Sequence, residues 1–215
     1  FDGPGTDTER EYQKNDTYWD KAEVKLSKVK VNVVKESSTS LNLFNDGEAD
    51  DVILSGELAQ QNANNPAYQS FKEARTSYLE YNQRDENSPF RNENLRKALS
   101  YAINRKSLVN QVLGDGSVVS TGLVPSGMSK NPETGEDFAK DAGKLAPYDK
   151  DKAKEYWDKA KEELGINKLS FELMASDTDS SKKVIEYIQG VLEETLPGVT
   201  VKPTPVPFSV RLDRS

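Results

Sequence analysis

The chain has 215 residues, a formal net charge of −7, and neither histidine nor cysteine. Without these two residue types it offers no Ser-His-Asp or Cys-His catalytic arrangement, no disulfide and no thiolate metal site. The acidic balance argues against nucleic acid as a partner, because binding to phosphates needs a basic surface. A catalytic site would have to be built from carboxylates, lysine, tyrosine or serine, and we expect no enzyme activity and no cofactor.

The first third of the chain predicts a strand, a helix and a second strand. Valines alternate with polar residues over 29–33, which is typical of a strand with one buried face. Hydroxyl side chains at 37–40 can cap a short helix that ends at Gly47. The apolar run at 52–54 fits a second strand, so this order predicts a parallel βαβ unit. Trp19 is expected to anchor packing.

The middle of the chain predicts one strand and a broken helix. Residues 77–82 read as a strand, which a polar stretch at 83–88 follows. Apolar residues recur at helical spacing over 95–103, and a break is expected near 104–105 before the helix resumes and ends at Gly114.

A long connection and a further helix come next. Residues 114–150 are rich in Gly, Ser, Pro and Asp and predict an irregular connection. Asp149 or Asp151 then starts an amphipathic helix that buries Trp157 and ends at Gly165.

The last part of the chain predicts a second βαβ unit. It consists of a strand over 169–173, a helix over 184–192 and a returning strand from Val199. The three prolines between 203 and 207 are expected to end this strand or to place it at a sheet edge. The whole chain therefore reads as α/β.

Several segments, taken in order, resemble one protein family. The segment at 15–22 reads Asn-Asp-Thr-Tyr-Trp-Asp-Lys-Ala. It is similar to the N-x-x-Y-W-x-x-A segment of extracellular solute-binding proteins that serve peptide, pheromone and nickel ABC importers. Further segments fit in the same order, at 24–29, 43–50, 81–105, 124–125, 148–153 and 169–173. The chain looks closest to the oligopeptide-binding lipoproteins of Gram-positive bacteria.

The resemblance implies a two-lobed, periplasmic-binding-protein-like α/β fold of type II, in its peptide-binding branch. Family members are more than twice this length, so we expect an internal fragment that contains only parts of each lobe. A composition shift near 84–93 places residues 1–84 in lobe one and residues 85–215 in lobe two. The segment that meets the ligand's amino terminus in relatives is expected beyond Ser215.

The resemblance also implies what the protein works with. The ligand is an oligopeptide, and the partner is the membrane permease of an ABC importer. The expected location is the extracellular face of the cell membrane, or the periplasm if the cell is Gram-negative. Contact with the membrane would be made only through a lipid anchor outside this segment.

One group of candidate ligand-binding residues lies on the predicted strand 77–82. Tyr78, Glu80 and Asn82 match positions that line the peptide pocket in relatives. Alternation places these three on one face of the strand and Leu79 and Tyr81 on the other. A carboxylate at position 80 could pair with a basic ligand side chain. The alternative is an exposed strand glutamate beside a partly buried tyrosine.

A second group follows the strand that begins at Leu169. Ser176, Asp177 and Ser181 occupy a region where relatives contact the ligand, although this chain has serines where relatives have Asn and His. The alternative is that these residues cap the next helix. Arg214 resembles an arginine at the cleft edge of lobe two in relatives. The alternative interpretation is that Arg214 is a solvent-exposed charge without contact to a ligand.

Four other functions stay open from the sequence. A peptide-pheromone receptor would share the fold, and a nickel receptor is disfavoured because the chain has no histidine. A carboxylate-based hydrolase could use Glu80 with Asp177, and a surface adhesin would bind a host protein. The acidic residues at 46–51 lack the spacing of a calcium loop, so no metal site is predicted.

Overall fold

The computed structural model describes residues 8–143, 145 and 147–215, so most of the Gly- and Pro-containing opening stretch lies outside the described residues. The strands are β1 (Glu9–Gln13), β2 (Lys28–Asn32), β3 (Leu169–Ser176) and β4 (Val199–Val206). The helices are α1 (Ser37–Asn45), α2 (Gly56–Asn62), α3 (Glu93–Ala102), α4 (Arg105–Ser107), α5 (Phe138–Asp141), α6 (Lys150–Leu164), α7 (Asp179–Thr195) and α8 (Phe208–Arg214). A 3₁₀ turn spans Pro89–Arg91, and a π-helical turn spans Leu108–Leu113.

The chain forms two compact units, the first ending at Ile53 and the second running from Leu54 to Ser215. The predicted lobe boundary between residues 84 and 85 therefore falls inside the second unit. The assignment of either part to a lobe of a larger protein stays a prediction.

The first unit contains an antiparallel ribbon of β1 and β2. Glu9 lies opposite Asn32, and Gln13 lies opposite Lys28. The strand predicted at 29–33 is confirmed, but its predicted buried face is wrong, because every residue of both strands is exposed. A two-stranded ribbon buries a face only where a second layer covers it, and no such layer covers it in the part of the first unit that the structure describes.

The parallel βαβ unit predicted in the first third is also wrong. The helix is present as α1, but residues 52–54 form no strand. The partner of β2 is β1, and the pairing is antiparallel. A short apolar run becomes a strand only where a neighbour supplies a hydrogen-bond ladder, and no described strand pairs with residues 52–54.

The two tryptophans have opposite environments. Trp157 is 1% exposed and belongs to the core of the second unit, as predicted. Trp19 is 85% exposed, so the prediction that it anchors packing is wrong. Its ring instead lies beside that of Tyr18, with the two centroids 5.5 Å apart.

The packing of α3 against α6 builds part of the core of the second unit. The apolar residues that were predicted along one face of α3 are buried. Asn92 caps this helix by accepting a hydrogen bond from the Leu95 N–H at 2.9 Å. Asp149 caps α6 in the same way through the Lys152 N–H at 2.9 Å. The predicted break after α3 is confirmed, because Ile103 leaves the helical conformation and a new turn begins at Arg105.

The second predicted βαβ unit is confirmed. β3 and β4 are parallel, with register from Leu169 opposite Val199 to Ser176 opposite Val206, and α7 connects them. β4 continues through Pro203 and Pro205 as one strand of a two-stranded sheet, so the prolines do not end it.

The strand predicted over 77–82 is wrong, because no hydrogen-bond ladder joins this segment to another strand among the described residues. The connection after Gly114 is largely irregular, as predicted, and it includes the short helix α5 and an isolated bridge between Lys130 and Asp137. None of the described helices is both long and apolar enough to cross a membrane.

Candidate functional site

Residues 77–82 carry the alternation that the sequence predicts, although they form no strand. Leu79 and Tyr81 pack against the core cluster of the second unit. Tyr78 is 68% exposed, and Glu80 and Asn82 are exposed as well. The three predicted site residues therefore share exposure to solvent, while the two residues between them attach the segment to the core.

Two contacts between aromatic rings link residues 77–82 to β3. The ring of Tyr81 lies 5.6 Å from that of Phe90, and Phe90 meets Phe171 of β3 edge to face at 5.3 Å. Burial raises the pKa of the Tyr81 hydroxyl, and the positive charges of Arg105 and Arg96 oppose this rise. Because the neutral form is favoured, the Tyr81 ring contributes as a neutral packing group.

Asn82 is engaged within its own turn. Its Oδ1 accepts a hydrogen bond from the Arg84 N–H at 3.1 Å, and its carbonyl oxygen accepts one from the Ser88 hydroxyl. Ser88 in turn accepts from the Phe90 N–H at 3.3 Å. These bonds leave the Asn82 Nδ2 as the group that a ligand could meet, and they give Asn82 a structural role that the sequence analysis did not identify.

The residues after β3 form the start of α7. Ser176 ends the strand, and Thr178 caps the helix by accepting a hydrogen bond from the Ser181 N–H at 3.4 Å. The hydroxyl groups of Thr178 and Ser181 are 3.0 Å apart. The cap is thus Thr178, a residue that the sequence analysis missed because several polar residues at 177–181 could fill that position.

Ser176, Asp177 and Ser181 are all half-buried at this end of β3. Their position follows from the parallel βαβ unit, in which the carboxyl end of a strand faces the start of the next helix. Open α/β sheets bind ligands beyond these strand ends. The interpretation of this group as the helix cap is therefore wrong, because Thr178 fills that position, and the ligand-binding interpretation stays a prediction.

Arg214 lies on α8 and belongs to a cluster of three charges. Its Nη2 donates to Glu172 Oε2 at 3.4 Å, and Lys202 Nζ donates to Glu172 Oε1 at 2.9 Å. The bond from Lys202 is the main cause of a lowered pKa of the Glu172 carboxyl. Glu172 and Lys202 face each other across β3 and β4. No pattern in the sequence predicted either partner of Arg214 in this cluster.

The predicted site residues thus form three groups on different elements. These are the exposed side of 77–82, the turn from β3 into α7, and the end of α8. None of the hydrogen bonds and ion pairs described above joins a predicted site residue of one group to a predicted site residue of another. In the described part of the chain, no group of three or more acidic side chains is placed to hold a metal ion.

A concave region lies elsewhere, within the first unit. Its volume is about 450 Å³, and its lining includes Tyr12, Tyr18, Val24, Leu26 and Val29. None of the predicted site residues lines it. The sequence offered a partial signal, because Tyr18 belongs to the segment at 15–22 that resembles the family.

Comparison with known proteins places the chain in a larger context. It is 38% identical over 218 residues to a dipeptide-binding protein of Lactococcus lactis subsp. cremoris, covering 97% of this chain and 39% of that protein. The structure of Listeria monocytogenes OppA bound to peptide is 40% identical, with a TM-score of 0.94 over 100% of this chain and 42% of that one. The pheromone receptor PrgZ is 43% identical, with a TM-score of 0.91 over the same shares.

The chain therefore spans about two fifths of the length of these relatives. The likeness to the peptide-bound Listeria structure extends over the whole chain, which confirms the predicted α/β fold of the periplasmic-binding-protein type. Residues 5–215 match the family described as bacterial extracellular solute-binding proteins, family 5 Middle. The chain belongs to this family of extracellular solute-binding proteins.

Proposed function

We propose that the protein is the substrate-binding component of an ABC importer, which captures oligopeptides outside the membrane and delivers them to a permease. The observation that carries this proposal is the likeness to a peptide-bound structure over the whole chain at 40% identity. The dipeptide-binding relative supports the same ligand class. The 215 residues supply one part of the peptide-binding surface, and the protein binds its ligand without catalysis.

The exposed side of 77–82 is the part of this surface that the geometry supports best. Tyr78 offers a ring of which most is accessible, and Glu80 offers a carboxylate. Leu79 and Tyr81 attach the segment to the core, so the exposed groups are held on a fixed support. A rigid support lowers the entropy cost of binding. Glu80 would favour peptides with a lysine or arginine side chain.

The groups at the end of β3 and on α8 make smaller contributions. Ser176, Asp177 and Ser181 would meet the peptide through hydroxyl and carboxylate groups or through bridging water. Arg214 would meet a ligand carboxylate only with the guanidinium face that Glu172 leaves open. A lipid anchor outside residues 1–215 would hold the protein at the extracellular face of the membrane.

Peptide binding by calorimetry tests the proposal. A synthetic library of tri- to pentapeptides is titrated into a protein of the relatives' length and into the 215-residue chain. Saturable binding to the longer protein supports the proposal. If the longer protein is folded by circular dichroism and binds none of the peptide pools, the proposal is overturned.

A variant pair tests the role of the 77–82 segment. Glu80→Gln should weaken binding of lysine-containing peptides by about two- to fivefold, as expected for an exposed ion pair. Binding of the matched peptides with norleucine in place of lysine should stay unchanged. Glu186→Gln on α7, which also removes an exposed carboxylate, is the control.

A pheromone receptor is the second candidate, and the likeness to PrgZ favours it. A receptor of this kind would prefer one peptide strongly over the library. A flat affinity profile across the peptide pools supports the importer component, whereas one peptide bound at least about 100-fold more tightly supports the receptor.

A further inference from the structure

Two Asp-Gly pairs lie in the part of the chain that the structure describes, at 46–47 and at 115–116. Glycine has no side chain to shield its backbone nitrogen. This nitrogen can attack the carboxyl group of the preceding aspartate where the two groups are close and the backbone is free to move. The dipeptide is the same at both places, but the structure gives the two pairs opposite environments.

The first pair is held by the end of α1. Asp46 keeps a helical conformation, and the Gly47 N–H donates to the Phe44 carbonyl oxygen at 3.1 Å. The next N–H, that of Glu48, donates to the Leu43 carbonyl oxygen at 2.8 Å. Attack by the Gly47 nitrogen would therefore require this end of the helix to open first.

The second pair is not held in this way. Among the described residues, none accepts a hydrogen bond from the Gly116 N–H. Gly116 has a φ of +84°, which glycine adopts without strain, and it is exposed to water. The nitrogen that would attack is therefore free, and solvent reaches the peptide unit that contains it.

The backbone of Ser117 places the carboxyl group of Asp115 beside that nitrogen. The Ser117 N–H donates to Asp115 Oδ1 at 3.0 Å. This bond closes a ring of atoms that includes the Gly116 nitrogen, so the carboxyl carbon lies near it. During an attack on this carbon, negative charge develops on the carboxyl oxygens, and a donor already aimed at Oδ1 stabilises that charge. One hydrogen bond thus supplies both proximity and charge stabilisation.

We propose that Asp115 is a site of spontaneous backbone isomerisation, with water as the only co-reactant. The Gly116 nitrogen forms a bond to the Asp115 carboxyl carbon, and Oδ2 leaves as water with the amide proton and a proton from solvent. Water then opens the cyclic imide. Opening at the side-chain carbonyl restores aspartate, whereas opening at the main-chain carbonyl yields isoaspartate. One water leaves and one enters, so the reaction needs no oxidant or reductant.

Isoaspartate would lengthen the main chain by one carbon directly after the π-helical turn. Gly114 closes this turn through its N–H, which donates to the Val109 carbonyl oxygen at 2.9 Å. The Gln60 side chain of α2 lies against Gly114. The modification would thus act at the junction between this packed turn and the irregular connection that follows. This inference goes beyond peptide capture and does not rest on it.

Incorporation of heavy oxygen tests the proposal in a protein of the relatives' length. The protein is incubated for several weeks at neutral pH in water enriched in heavy oxygen, while circular dichroism confirms that it stays folded. It is then digested with trypsin in ordinary water. Each round of ring closure and opening places one heavy oxygen at the aspartate involved. The tryptic fragment 107–130 contains Asp115 as its single acidic residue, so mass spectrometry with fragmentation reads this site directly.

Label at Asp115 should accumulate at least about tenfold faster than label at Asp46, because the site at Asp46 must first open. In urea the two rates should become similar, since the fold then protects neither site. Asp115→Glu is the matched control and should remove the label from fragment 107–130, because its longer side chain closes a ring less readily. Equal labelling of Asp115 and Asp46 in the folded protein overturns the proposal. So does absence of label at Asp115, or label in fragment 107–130 that persists in Asp115→Glu.

Discussion

Trp157 and Pro197 are joined by a hydrogen bond in which the indole Nε1–H donates to the proline carbonyl oxygen at 2.9 Å. The bond connects the middle of α6 to the turn between α7 and β4. The Trp157 ring is buried, so its polar group needs this partner. One side chain thus packs the core and positions the start of β4.

Trp157→Phe should lower the free energy of unfolding by about 2 kcal/mol, because the variant loses the hydrogen bond and leaves a smaller ring in a filled core. Urea unfolding followed by circular dichroism measures the change. Trp19→Phe is the matched control and should alter stability by less than about 0.5 kcal/mol, since Trp19 is exposed. Equal effects of the two substitutions would contradict the assigned environments.

Thr195→Val should leave stability unchanged or raise it by up to about 1 kcal/mol. Thr195 is 1% exposed, and its hydroxyl oxygen has no hydrogen-bond partner among the described residues. Valine has nearly the same shape and removes the unsatisfied group. Thr178→Val, by contrast, deletes a helix cap and should cost about 1 kcal/mol. Chemical denaturation measures the free energy of unfolding of both variants. A decrease for Thr195→Val as large as that for Thr178→Val would show that the Thr195 hydroxyl has a hydrogen-bond partner.

Asn92→Asp should destabilise the protein at pH 7 more than at pH 3.5. Asn92 Oδ1 caps α3, and its Nδ2 donates to Glu163 Oε2 at 2.7 Å. Hydrogen bonds from Asn92 and Asn94 lower the pKa of the Glu163 carboxyl, so this contribution to stability is present above pH 4.5 and is lost as the pH falls. The substitution keeps the cap acceptor but sets a second carboxylate against Glu163.

Thermal unfolding at the two pH values measures this effect. Asn92→Ser is the control, because it keeps a cap acceptor without adding charge and should show a smaller pH dependence. If Asn92→Asp lowers the thermal stability equally at both pH values, the contact between residue 92 and Glu163 is not formed in solution.

Tyr81→Phe should become relatively more stable than the unsubstituted protein as the pH rises above about 10. Burial raises the pKa of Tyr81 in the folded state, so its contribution is present below the unfolded pKa of 10.0 and is lost as the pH rises toward the folded value. Urea unfolding at pH 8 and at pH 10.5 gives the difference between the two proteins. Tyr78→Phe, which removes an exposed hydroxyl, is the control. If the difference in unfolding free energy between Tyr81→Phe and the unsubstituted protein does not change with pH, the Tyr81 hydroxyl is not buried.

The order of motifs along the chain predicted the family, and the family match over residues 5–215 confirmed it. Local patterns also placed α3, α6 and the second βαβ unit, because the apolar spacing of these elements agrees with their final packing. The same holds for the exposure of Tyr78, Glu80 and Asn82, since alternation requires only an extended backbone.

The tertiary structure decided what depends on neighbours distant in sequence. Residues 52–54 and 77–82 have strand-like patterns, but no ladder joins them to a strand in the part of the chain that the structure describes, and a strand exists only with a partner. Trp19 and Trp157 are the same residue type, yet only Trp157 is buried, because α6 packs into the core of the second unit. The hydrogen bonds of Val201 on β4 are likewise invisible in sequence, because Glu193 and Gln189 meet Val201 only after α7 folds back onto the sheet. Composition, periodicity and motif order therefore determined the family and its local elements, whereas long-range hydrogen bonding determined which strands pair.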